Sequence, residues 1–178
     1  MGAIAGFVRA AEAVNGFVGR VVSWLTLGTV LACFATVYTR YALNTNFTWL
    51  QELYVWQHAA AIVVGAGFTM LVGGFVRVDI FYGKMSPRGR AWVDLAGTLL
   101  FLFPFLFVLW TAFSTFVGNA FRVDEGSPNP GGLPNWWALK GTLLVFVALT
   151  ALQGLALMAR SVLVLGGREE FASKPTSH

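Results

Sequence analysis

The sequence predicts an all-α integral membrane protein of four transmembrane helices, with both termini cytoplasmic and an amphipathic interfacial helix at the N-terminus. Three observations predict it. First, 57% of the 178 residues are hydrophobic and only 11% are charged, with a mean hydropathy of +0.68. Soluble domains carry roughly 25% charged residues. Second, apolar runs long enough to cross a hydrocarbon layer of about 30 Å recur four times. Third, the cations fall on one side. With the N-terminus inside, Arg9, Arg20, Arg77, Lys84, Arg88, Arg90, Arg160, Arg168 and Lys174 are inner, and Arg40, Arg122 and Lys140 are outer. Nine against three is a strong positive-inside bias, because Lys and Arg resist translocation.

Residues 1–20 open the chain with Ile4, Phe7, Val8, Ala11, Val14 and Val18 at steps of three and four, while Arg9, Glu12, Asn15 and Arg20 take the other side. That pattern predicts a helix lying in the headgroup region. A signal peptide is the rival reading. It fits poorly, because Glu12 interrupts it and the apolar run after Arg20 is too long for a signal core.

The first span is predicted at 21–39, between Arg20 and Arg40; it is about 29 Å long at 1.5 Å per residue. Trp24, Gly28, Ala32 and Thr36 form an i+4 stripe that permits close helix approach. A polar turn at 42–46 follows, and Phe47 and Trp49 open the second span at 50–76. Thr48 is expected to cap it, with Glu52 in its first turn, where the helix dipole favours an anion. Gln57, Ala61, Gly65, Thr69 and Gly73 form a second, longer stripe, which predicts a protein-facing surface.

The connector 73–94 holds Arg77, Asp79, Lys84, Arg88 and Arg90 before the third span at 91–117. Phenylalanines crowd that span as lipid-facing bulk, and Pro104 predicts a kink or its absorption by neighbouring structure. The segment 119–135 is rich in Pro and Gly, which forbid a long helix or strand, and leaves the membrane on the periplasmic side. Trp136 and Trp137 lead to the fourth span at 139–165. The tail 166–178 is polar and expected to be mobile. The whole chain reads as one membrane domain.

Chemistry is sparsely provided. A pI near 9.6 and a net charge of +4 fit basic loops meeting anionic headgroups rather than nucleic acid. Cys33 is the single cysteine, so neither an intrachain disulfide nor a cysteine metal cluster is available. The two histidines, His58 and His178, cannot form a facing pair for haem within the spans. No phosphate-binding glycine loop and no nucleophile–base set is present. No catalytic, cofactor or metal site is therefore expected. Glu52 is expected to form a structural pair with Arg40, and Arg90 an i+4 pair with Asp94. His58 is expected to be a neutral side chain bonded to a neighbouring helix. Arg77 and Asp79, two residues apart, are expected to find separate partners. A solute path within this chain has no visible polar lining.

Two motifs carry a resemblance. Trp49-Leu50-Gln51-Glu52-Leu53 resembles the W-x-E-E-L opening of the second span in the small membrane (DctQ-type) subunit of tripartite ATP-independent periplasmic (TRAP) transporters. Phe75-Val76-Arg77-Val78-Asp79 resembles the H-V-R-V-D motif of that family, and residues 86–90 and 92–97 resemble the segment after it. Gln51 stands where the family often has an acid, and Phe75 where it often has His, so no role is carried onto those two. The loop 127–135 resembles a subgroup associated with organic acids such as 2-oxo acids.

The resemblance implies a division of labour in the bacterial inner membrane. A periplasmic solute-binding protein captures a carboxylate. A large membrane subunit holds the solute and sodium sites. The small subunit, with no cofactor of its own, is a static scaffold beside it. Glu52, Gln57, Ala61, Gly65, Thr69, Gly73, Arg77 and Asp79 are then the candidates for subunit contact. Two other readings stay open: an autonomous small dimeric transporter, and a membrane anchor subunit of a redox complex. The first needs an embedded acid that the span 21–39 lacks. The second needs a haem pair that the sequence does not supply.

Overall fold

A computed structural model describes residues 2–75, 82 and 84–171. Its framework is four helices, each long and apolar enough to cross a membrane: α1, Gly2–Ala42; α2, Thr48–Leu71; α3, Pro87–Arg122; and α4, Trp136–Leu165. No strand is present among the described residues. The membrane-protein fold expected from composition is therefore found. Helix α4 packs on α1, α2 and α3, and α1 and α2 form a closely packed antiparallel pair.

The N-terminal segment departs from expectation. Residues 2–20 are not a separate interfacial helix but the first half of the 41-residue α1. They run beside the second half of α4, where Ala5 and Val8 bury against Leu163. Arg20 does not end the element, because one exposed charge does not interrupt backbone hydrogen bonding; side-chain chemistry alone marks no break there. Glu12 and Asn15, read as a solvent-facing side, are turned to α4. Glu12 lies 3.3 Å from Arg160, and Asn15 is fully buried.

The α1–α2 turn is tight. Thr45 N–H donates to the Thr39 carbonyl at 3.0 Å, and Asn44 takes a left-handed φ of 50°, which asparagine tolerates well. Arg40 lies in the last turn of α1, the favourable end for a cation. Thr48 does not cap α2: it is already the first helical residue, and the extended Phe47 before it offers no side-chain cap. Glu52 accordingly stands one residue further into the helix than expected. Helix α2 stops at Leu71, short of the expected 76, and Gly73 turns the chain with a φ of 71°.

Helix α3 starts cleanly: Ser86 Oγ accepts from Gly89 N–H at 3.2 Å, and Pro87 occupies the first turn, where its missing donor costs nothing. Pro104 is absorbed by a π-helical turn over Thr98–Leu102. Phe103 N–H donates back to the Thr98 carbonyl, an i→i−5 bond that widens the helix just before the ring of Pro104. Gly154 of α4 faces this turn, so closely that an added Cβ would lie 2.8 Å from Leu102 Cδ2.

Helix α4 closes on Gly166 and Gly167, the latter at φ 92°. Arg168 N–H returns to the Leu163 carbonyl at 3.0 Å, as a glycine-terminated helix end requires. The segment after it is not all tail. Glu169–Phe171 form a short 3-10 turn, and Phe171 packs on the Ala5–Val8–Leu163 cluster. Residues 172–178, including His178 and Lys174, lie outside the described residues.

Candidate functional site

The most organised polar site is built around Glu52. The side chain lies in the second turn of α2 and is 7% exposed, because residues 127–133 fold back over it. Ser127 Oγ–H donates to Oε1, the Asn129 amide donates to the same oxygen at 3.1 Å, and Leu133 N–H donates to Oε2 at 2.6 Å. Each carboxylate oxygen is thereby satisfied by a group more than seventy residues away in sequence. The loop is cross-braced within itself. Asn129 N–H donates to Ser127 Oγ at 3.0 Å, Ser127 N–H to the Leu133 carbonyl at 3.1 Å and Gly132 N–H to the Asn129 carbonyl at 3.1 Å. Gly132 is required sterically: a Cβ there would stand 2.3 Å from Ser127 Oγ and 2.6 Å from Glu52 Oε1.

The other end of the loop is held by Glu125. Both its carboxylate oxygens accept from Lys140 Nζ, at 2.7 and 2.6 Å, and its carbonyl accepts from Trp136 N–H at 2.7 Å. Lys140 Nζ also lies 4.1 Å from the centre of the Phe116 ring. The pair is partly open to solvent, where ion pairs contribute about 0–1 kcal/mol, and the ring adds about 0.5–1 kcal/mol. Lys140→Met is thus expected to cost about 1 kcal/mol, read as a small drop in the detergent melting temperature with the fold retained. Trp56 and Trp136 meet edge to face at 6.3 Å beside the loop. A groove of about 510 Å³ opens there, lined in part by Thr48, Gln51, Glu52, Val55, Pro130 and Trp136.

A second set of contacts locks the helices. Asn15 Nδ2 donates to Gln153 Oε1 at 3.0 Å and approaches the Leu149 carbonyl at 3.4 Å. A Cβ on Gly67 would come within 2.3 Å of Asn15 Oδ1, so α1, α2 and α4 meet at this point. Two glycines further along α1 bring it close to α2. A Cβ on Gly19 would fall 2.2 Å from Phe68 Cγ, and one on Gly28 would fall 2.9 Å from Gln57 Nε2.

The sequence-derived candidates sort as follows. Glu52 is central but does not pair with Arg40, which is exposed at the end of α1. The loop donors reach the carboxylate first, and a neutral three-donor cradle leaves no place for a guanidinium. Gln57 and Gly65 face α1 of the same chain, Gly65 lying against Val22. Thr69 Oγ1 donates back to the Gly65 carbonyl at 3.1 Å, Ala61 is half-buried, and Gly73 lies beyond the helix in the turn. Of the α1 stripe, Ala32 and Thr36 are buried while Trp24 is 71% exposed. Asp94 accepts from Tyr82 O–H at 2.7 Å, and Arg90 lies over the same ring, 5.9 Å from its centre. Arg77 and Asp79 lie outside the described residues. His58 is exposed on α2.

Residues that the sequence did not single out include Ser127, Asn129 and Leu133. A serine and an asparagine two apart in a Pro/Gly loop were the available signal. Among the described residues no cluster of three His, Cys, Asp or Glu is gathered.

Comparison with known proteins agrees with this architecture. Residues 29–164 match the family model described as tripartite ATP-independent periplasmic transporters, DctQ component. No curated protein and no solved structure gave a match. The matched region is well over half of the chain and takes in the last third of α1, all of α2, the Glu52 loop and nearly all of α4, so this multi-pass inner-membrane protein belongs to the DctQ family, the small permease subunits of TRAP transporters.

Proposed function

We propose that this chain is the static scaffold subunit of a sodium-coupled, binding-protein-dependent transporter for organic acids. A large membrane subunit carries the solute and sodium sites, and this chain binds no cofactor. Both termini are cytoplasmic, which places the loop 123–135 in the periplasm, where it helps seat the solute-binding protein. The observation that carries the reading is the way the polar groups are spent. The buried amides of Asn15 and Gln153 bond each other across helices, and the buried carboxylate of Glu52 fixes a loop. Groups used this way brace a rigid body. The outer surface is broad and apolar, with Phe34, Phe101 and Phe107 between 68% and 75% exposed, as expected of a body that adds bulk within lipid.

Reconstitution tests the proposal. Vesicles holding this chain, a large subunit and the binding protein are expected to accumulate a carboxylate down a sodium gradient. Vesicles lacking this chain, or holding it alone, are expected to show none. Uptake by this chain alone would overturn the scaffold reading and favour an autonomous transporter.

A further inference from the structure

Among the described residues no helix covers one face of α2, whose outer end is held only by the Gln51 amide donating to Asn46 Oδ1 at 2.8 Å. Gln51, Val55, His58 and Ile62 stand at i, i+4, i+7 and i+11, on one side of a helix. The adjoining sides are occupied: Gln57, Gly65 and Phe68 meet α1, and Glu52 and Gly67 meet the loop and the Asn15 junction. Val55 and Ile62 are 49% and 62% exposed. Between them His58 is exposed and forms no hydrogen bond among the described residues.

Depth makes this face different from the other apolar faces. His58 is nine residues past Trp49, about 14 Å along the helix axis, near the middle of a hydrocarbon layer about 30 Å thick. The phenylalanines of α1 and α3 are well solvated by acyl chains. An imidazole is not, because it carries a donor and an acceptor and lipid tails offer neither. Ionisable side chains at this depth face protein or water rather than lipid. The groove beside the Glu52 loop continues the same face, since Gln51 and Val55 belong to both.

We infer that in the assembled transporter this face is covered by a transmembrane helix of the large membrane subunit, which presents a hydrogen-bonding side chain at the depth of His58. The inference rests on the assembly proposed above and adds its location. It moves the contact from the Gln57–Gly65 stripe, which α1 occupies, to the Gln51–Val55–His58–Ile62 face.

The test uses the full chain co-expressed with the large subunit, carrying a photo-crosslinking amino acid at Val55, Ile62, Phe34 or Phe107. Adducts to the large subunit are expected from positions 55 and 62, and at most traces from 34 and 107. In the same complex His58→Leu is expected to lower subunit affinity about threefold to tenfold, the range of an interhelical hydrogen bond. His58→Gln, which keeps a donor and an acceptor, is expected to restore it. Adducts only to lipid or a second copy of this chain, adducts confined to 34 or 107, or equal affinity of His58→Leu and the parent would each overturn the inference while leaving the assembly standing. Failure to form any complex would overturn both.

Discussion

Replacing Glu52 with alanine is expected to release the 127–133 loop and to cost about 3 kcal/mol or more. Three donors, from Ser127, Asn129 and Leu133, converge on this carboxylate. Hydrogen bonds to a charged group contribute about 1.5–3 kcal/mol each, and they are not additive. Truncation also leaves the Leu133 N–H facing an apolar methyl, so an orphaned donor is added to the lost bonds. Glu52→Gln is expected to fall between the two. Its carbonyl still accepts, but its amide turns hydrogens toward a donor. Limited proteolysis distinguishes the variants, with cleavage within 127–133 rising in the order parent, Glu52→Gln, Glu52→Ala. If the scaffold reading holds, uptake by the Glu52→Ala complex falls most at low binding-protein concentration and recovers as that concentration rises. Equal protease resistance of parent and Glu52→Ala would show that the loop is held by its own internal bonds.

The second large effect is expected at Gly19. A methyl there points into the base of the Phe68 ring, 2.2 Å from Cγ and 2.4 Å from Cβ. Those atoms lie close to the backbone of α2 and cannot swing aside as a side-chain tip does. Relief requires α1 and α2 to separate, and that movement disturbs the Asn15–Gln153 contact one turn away. Overpacking of this kind costs about 1–3 kcal/mol, so Gly19→Ala is expected to lower the detergent melting temperature markedly. Gly97→Ala is the control. Nothing lies within 4 Å of its added carbon, and alanine is the better helix former, so its melting temperature is expected to stay level or rise slightly.

The elements that could be read from sequence were those with a local cause. Apolar run length gave the four helices, although the third begins at Pro87, before the expected 91. What failed were two readings that turned on an unseen neighbour. Asn15 sits in a pattern that suits a headgroup-facing helix equally well. Only α4, some 134 residues later, turns it into a buried lock. Glu52 looked paired with Arg40 because the two flank one short turn. Its actual partners come from a loop more than seventy positions on, and the Ser127 and Asn129 pair there does not announce which acid it will meet. The i+4 stripe of α2 was a true sign of close packing but could not say against what. Gln57 and Gly65 find α1 in their own chain.

The unequal lengths of the rods have a consequence for the lipid around them. At 1.5 Å per residue, the 41 residues of α1 reach about 61 Å and the 24 of α2 about 36 Å. No single flat slab matches both. The taller rod must lean or emerge, and the bilayer beside it must thin or thicken at a cost of fractions of a kcal/mol per ångström. Leaflet height therefore changes around the circumference of this subunit, and any protein settling against it meets a membrane already reshaped on that flank.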